Sequence, residues 1–293
     1  MLHRIHVAML SGVVALIAVI ALIVMTQQRE QAFAQSQFSV QQKLLSGASY
    51  AVADYILQKR KALQAFVTRN QPLLLQLRFN PRDAVAYADL REKLRRQFTG
   101  YSHFTIIDEN GAPIWLDIEG EIGQVCESEI LKFNEEVQQS GARATNKILI
   151  HPNVNQYHYD LMALLAVGPK TNNIFLVSFL PSTLASILGK HEIPGHRLML
   201  VKNGDTSLIE VTSDGARNRL HRDIRLSDEE MARIKTFADV KGTGWRMIDL
   251  PDEKHLSAFR KQVWREVALA VLATILTALA VVVLVNRAMH RKE

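Results

Sequence analysis

The sequence predicts an α+β protein: a long N-terminal helical stalk carrying two antiparallel sheets, the membrane-distal one larger and the membrane-proximal one smaller, flanked by two transmembrane helices. Three observations carry this reading. Uncharged runs stand near either end, at Val7–Met25 and Val267–Val285. Between Gln27 and Arg69 apolar residues recur at helical spacing, with Gly47 as the one glycine or proline. From Tyr101 onward the pattern changes to the two-residue alternation of strands, punctuated by turn residues.

Each uncharged run holds nineteen residues, about 28 Å of helix against a hydrocarbon core of about 30 Å. Neither contains Asp, Glu, Lys or Arg, any of which would cost about 3 kcal/mol at mid-helix. The chain therefore divides into an N-terminal segment 1–6, a first span 7–25, a stalk 26–100, a first sheet region 101–180, a second region 181–266, a second span 267–285 and a tail 286–293. His3, Arg4 and His6 precede the first span, and Arg287, Arg291 and Lys292 follow the second. The positive-inside rule then places both termini in the cytoplasm and the middle segment outside. Arg260, Lys261 and Arg265 argue the other way, but after so long a loop such charges carry little weight. Ala32–Phe33–Ala34 has the spacing a signal peptidase reads, yet a charged stretch separates it from an apolar run longer than a usual signal core, so the first run is read as an anchor.

The net charge of +6 does not point to nucleic acid, because part of it sits at the termini and the remainder is ordinary for the size of the outer region. A single cysteine, Cys126, leaves no internal disulfide and no cysteine-based structural metal site.

In chain order, the apolar positions Val40, Leu44, Ala48, Val52, Ile56, Leu63 and Phe66 continue the first span as one helix. "QPLLLQLRFNPRD" breaks it, and Asp83–Phe98 follows as an amphipathic helix. "HFTIIDENGAPIWLD" reads as a hairpin about Asn110–Gly111, a pair that tolerates positive φ at both central turn positions. A helix over Glu127–Gln139 comes next, then strands at Lys147–His151, Tyr157–Val167 and Asn173–Leu180, making five in the first sheet. Ser182–His191 is a connecting helix with Ser182 as N-cap. "HRLMLVKNGD" and "SLIEVTSDG" pair as strands. "LSDEEMARIKTF" opens on a capping box, Ser227 with Glu230. "GTGWRMIDLPD" returns as a strand, and Asp252–Glu266 is a helix leading into the second span.

This order resembles the double Cache domain, a tandem of PAS-like sheets on a membrane-rooted helix found outside the membrane on bacterial chemoreceptors, sensor histidine kinases and cyclic-di-GMP enzymes. Three stretches carry the resemblance: "HFTIIDENGAPIWLD", "YHYDLMALLAVGPKTNNIFLVSFLPSTLASIL" and "GTGWRMIDLPDEKHLSAFRKQVWREV". It implies a bacterial inner-membrane protein with a periplasmic sensor domain. The family normally continues past the second span into an output domain, whereas eight residues follow it here. A catalytic domain needs on the order of 100 residues to bury a core. The expectation is therefore a sensor without catalysis of its own, reporting to a membrane partner that carries a cytoplasmic output domain. A homodimer through the stalk is also expected.

The candidate ligand-binding residues are Trp115, Asp117, His158 and Asp160. Along an alternating strand His158, Asp160 and Met162 face one side and Tyr157, Tyr159 and Leu161 the other. His158 and Asp160 would contact a small polar ligand, with Trp115 as an apolar wall and Asp117 beside it. These residues also have a plain reading as strand-end and hairpin positions. A metal reading would recruit His151, His158 and Asp160, but the gap between the histidines fixes no geometry. No metal or other cofactor is expected. Motifs of nucleophilic, zinc-protease or nucleotide chemistry are missing from the sequence. Some double Cache domains bind amino acids through Tyr, Arg, Trp and Asp; Trp115 and Asp160 fit two such positions, but no arginine matches. The rival reading is a membrane scaffold such as a polysaccharide chain-length regulator, which shares the plan of span, outer domain, span and short tail. Those regulators usually carry a proline-rich stretch before the second span, where this chain has only Pro251.

Overall fold

The computed structural model describes residues 2–115, 124–140, 148–151, 157–168 and 172–290. Two compact units form, one from Met1–Val40 with Asp252–Glu293 and the other from Gln41–Pro251. Helix α1 spans Leu2–Arg69 without interruption, as its apolar spacing predicts.

In the first unit, α1 meets helix α7, Glu253–His290. Both contain stretches long and apolar enough to cross a membrane. The Phe33 and Phe259 rings stack with centroids 3.8 Å apart. Beside them the Trp264 indole N–H donates to Glu30 Oε1 at 3.0 Å.

In the second unit the remainder of α1 buries Ala48, Val52, Ile56, Leu63 and Phe66 of the predicted apolar stripe, together with Leu45 where Leu44 was expected; Leu44 is partly buried. Helix α2 (Gln71–Phe79) begins with Pro72 in its first turn, where no amide donor is required. Helix α3 (Ala84–Gln97) is capped by Asp83, whose carboxylate accepts from Ala86 N at 3.0 Å.

Strands β1 (Tyr101–Ile107), β2 (Tyr159–Ala166) and β3 (Asn172–Phe179) form an antiparallel sheet in the order β1-β3-β2. Alternation gives it two apolar faces. Phe104, Ile106, Leu161, Phe175, Val177 and Phe179 pack on the stalk. Ile107, Met162, Ile174 and Leu176 pack with Ile130, Phe133 and Val137 of α4 (Gln124–Ser140). Each such side chain contributes about 1.5–3 kcal/mol on burial. Among the described strands β2 is an edge, and its backbone is covered in part by the stalk: the Gln64 amide both donates to Leu164 O and accepts from Leu164 N, each at 3.1 Å.

Helix α5 (Ser182–His191) leads to the second sheet. Pro181 occupies its capping position and Ser182 is already helical, a one-residue correction to the expected cap. The second sheet comprises β4 (His196–Lys202), β5 (Asp205–Thr212), β6 (Gly215–Ala216), β7 (Phe237–Asp239) and β8 (Trp245–Pro251), in the order β6-β5-β4-β8-β7. A short 3₁₀ turn, Arg217–Arg219, follows β6. Helix α6 (Asp228–Arg233) carries the capping box predicted from Ser227 and Glu230.

The order of sheet sizes differs from expectation among the described residues, with three strands in the first sheet and five in the second. The Asn110–Gly111 turn forms, held by Asp108 Oδ1 accepting from the amides of Asn110 and Ala112. Its return arm, however, contributes a bridge at Pro113. Residues 148–151 likewise make isolated bridges at Ile148 and His151.

Candidate functional site

Strand alternation aims Asp160 of β2 at the α4 face of the first sheet, directly across from Ser178 of β3. Asp160 is 1 % exposed and accepts a hydrogen bond from Ser178 Oγ at 2.6 Å. His158, two residues earlier, shares that face, and its Nε2 stands 3.7 Å from Asp160 Oδ1. His151 bridges antiparallel to His158. The two rings stack with centroids 5.6 Å apart, and His151 Nε2 lies 3.6 Å from Asp160 Oδ2. His103 of β1 completes the group, its ring edge-on to His158 at 5.5 Å.

This places one carboxylate among three imidazoles, with His151 and His158 buried. Burial pushes the His103 imidazole down to about 4; His158 nearby adds to the lowering and Asp160 opposes it. Burial also lowers His151, against the pull of Asp160, with His158 adding to the lowering, Glu129 of α4 opposing it and Arg217 adding again. At neutral pH both rings are therefore uncharged, each with one nitrogen able to donate and one able to accept. The His151 Nδ1 atom is buried without a hydrogen-bond partner among the described residues. Such an atom costs about 1–3 kcal/mol unless something else satisfies it.

Among the described residues, no group of three or more His, Cys, Asp or Glu side chains is arranged to hold a metal ion.

Of the sequence candidates, the structure brings His158 and Asp160 together. Trp115 packs elsewhere, on the stalk side of the sheet, edge-on to Tyr87 and Phe104 with its indole N–H donating to Pro81 O at 3.0 Å. Asp117 lies outside the described residues. His103 and Ser178 were missed, because each joins the cluster only through the pairing of β1 and β2 with β3, and strand pairing leaves no local signature. His151 entered the sequence reading solely as a metal candidate.

Two concavities lie away from this cluster. One, of about 520 Å³, runs between the apolar helices of the first unit, lined by residues such as Ala15, Ala18, Ala273 and Thr277. The other, on the second sheet, is lined by Arg197, Arg222, Arg225 and Glu230. Its cations are already matched by carboxylates: Arg222 by Glu230, Arg225 by Asp205 and Arg197 by Asp214.

Solved structures to which this chain is similar include extracellular sensor and ligand-binding domains of histidine kinases and chemoreceptors. The sensor domain of the Vibrio cholerae histidine kinase DctB is 9 % identical, with a TM-score of 0.49 over 77 % of this chain and 99 % of that one. The sensory domain of the Campylobacter jejuni chemoreceptor Tlp3 with isoleucine bound is 14 % identical, with a TM-score of 0.48 over 78 % and 97 %. The ligand-binding domain of the Pseudomonas aeruginosa amino acid chemoreceptor PctB in complex with L-Arg is 12 % identical, with a TM-score of 0.45 over 77 % and 97 %. No family profile and no curated protein matches the chain.

Proposed function

We propose that this chain is a membrane-anchored sensor. Its folded middle segment lies in the periplasm, with both termini in the cytoplasm of a bacterial inner membrane. A small polar ligand binds at the His103, His151, His158 and Asp160 cluster. The signal passes through the two spans to a separate membrane partner that carries the cytoplasmic output domain. One observation carries the reading: a buried carboxylate and three imidazoles gather on one sheet face, and the His151 Nδ1 atom there lacks a partner among the described residues. A polar ligand reaching that atom would satisfy it and recover its desolvation cost. The stalk also leaves Tyr50 and Leu57 exposed, seven residues apart on α1, which suits side-by-side packing with a second copy.

The test is a thermal-shift screen of the full chain in detergent with amino acids, carboxylates and purines. A compound that stabilises the wild type and loses about tenfold or more in affinity in Asp160→Asn supports the site. Stabilisation that is indifferent to Asp160→Asn places the ligand elsewhere. Large ring-shaped oligomers with no response to any compound would favour a scaffold instead.

A further inference from the structure

The four residues Ile148–His151 make isolated bridges beside both sheets, to His158 next to β2 and to Thr243 next to β8. At one end His151 N donates to His158 O at 2.8 Å, and the His151 ring faces Asp160. At the other end Ile148 bridges in parallel to Thr243, and its carbonyl accepts from Gly244 N at 2.9 Å. Between them, Ile150 O accepts from Arg217 Nη2 at 3.2 Å. The same guanidinium nitrogen donates to Glu210 Oε2 of β5 at 2.8 Å, and Glu210 is 1 % exposed. The Ile148 and Ile150 side chains are themselves buried in the core.

The turn that receives this segment is shaped for close approach. A Cβ on Gly244 would stand 2.3 Å from Leu149 Cδ2, so the Leu149 side chain would have to shift, and 3.3 Å from Ile148 O, a tight approach to the strap's backbone. Gly242, at φ +75°, presents its carbonyl to Arg60 of the stalk, whose Nη2 donates at 2.9 Å. A Cβ at Gly242 would press on that same guanidinium, at 3.1 Å from Nη1. Stalk, second sheet and the 148–151 segment thus converge on residues 242–244. Close-packed interiors transmit displacement because they cannot deform continuously.

We propose that Ile148–His151 is a coupling strap. It carries a change at the His151–Asp160 cluster to β8 through Thr243–Gly244, to β5 through Arg217–Glu210, and to the stalk through Gly242 and Arg60. What displaces the strap rests on the sensor reading given above. The mechanical link does not, and it is tested without any ligand.

The experiment is hydrogen–deuterium exchange on the full chain in nanodiscs. It compares the wild type, Asp160→Asn, Arg217→Lys and the double variant. Lysine keeps the charge near Glu210, but its shorter side chain does not carry a nitrogen to the Nη2 position that bonds Glu210 Oε2 and Ile150 O together. Asp160→Asn is expected to raise exchange in residues 205–212 and 245–251 by about fivefold or more, while α6 stays unchanged. In the Arg217→Lys background the effect on 205–212 should vanish and that on 245–251 should persist. Linkage is reciprocal, so Arg217→Lys alone should raise exchange in 159–166. That second reading serves if Asp160→Asn unfolds the chain. Unchanged exchange across the strap in both directions, or an effect on 205–212 that survives Arg217→Lys, overturns the proposal. A ligand screen in which nothing binds would overturn the sensor reading and leave these exchange results standing.

Discussion

Lys59 shows what one buried cation requires. Its ammonium donates to Tyr55 Oη at 2.6 Å and Thr99 O at 2.9 Å, and it sits 3.9 Å from the centre of the Phe179 ring. Those contacts keep it 8 % exposed inside an otherwise apolar interface. Lys59→Met should remove about 1–3 kcal/mol, read as a lower midpoint in chemical denaturation, because the Thr99 carbonyl is left without its donor. His103 yields a pH prediction. Its folded value of about 4 lies below the 6.5 of an unfolded chain, so between those values the unfolded state holds more protons. Stability that is complete above pH 6.5 is therefore lost as pH falls toward 4, and His103→Gln should flatten that part of the profile. The sequence made His158 and Asp160 legible as candidates because alternation alone puts them on one strand face. Ser178 joins them only when β2 and β3 pair residue by residue, and Trp115 lies on the stalk side, in a return arm that makes a bridge at Pro113 among the described residues where a strand was expected.

At the scale of elements, most of what reads from sequence is local. The unbroken α1 follows from apolar spacing, and the start of α6 follows from Ser227 and Glu230. Residues 148–151 show where that reading stops. Their short apolar run looks like an ordinary strand, yet their partners are His158 on one side and Thr243 on the other, and neither identity is encoded nearby. The fit at that seam gives a direct prediction: Gly244→Ala should cost about 1–3 kcal/mol through overpacking, and Leu149→Ala should restore much of the loss by vacating the contested space. Thermal melts of the two single variants and the double variant form the cycle, and strict additivity would show that the clash is not the cause. The exposed edge of β2 gives another. Gln64→Ala removes both bonds to Leu164 and should speed exchange at the Leu164 amide, with a cost of about 1–2 kcal/mol.

For the whole molecule the decisive physical fact is the apolar surface of the first unit. Leu10, Leu16, Ile17, Leu269, Leu276 and Leu284 are all more than half exposed in the isolated chain. The most apolar window of α1 is 6 % buried and that of α7 is 0 % buried. Both stretches are long and apolar enough to cross a bilayer, which would solvate them at no cost to their internally bonded backbones. Beyond the apolar stretches the two helices meet through polar and aromatic groups: the Phe33–Phe259 stack, the Trp264–Glu30 bond and the Arg29–Glu266 contact. In a Cys126→Ser background, cysteines at 33 and 259 should therefore form a disulfide under mild oxidation in native membranes, while cysteines at 17 and 259 should not. Orientation is decided by impermeant maleimide applied to intact spheroplasts. A cysteine at the exposed Val85 should label from outside, and one at Arg287 should label only after the membrane is opened. The reverse pattern would put the candidate site in the cytosol, and the sensor reading would fail with it.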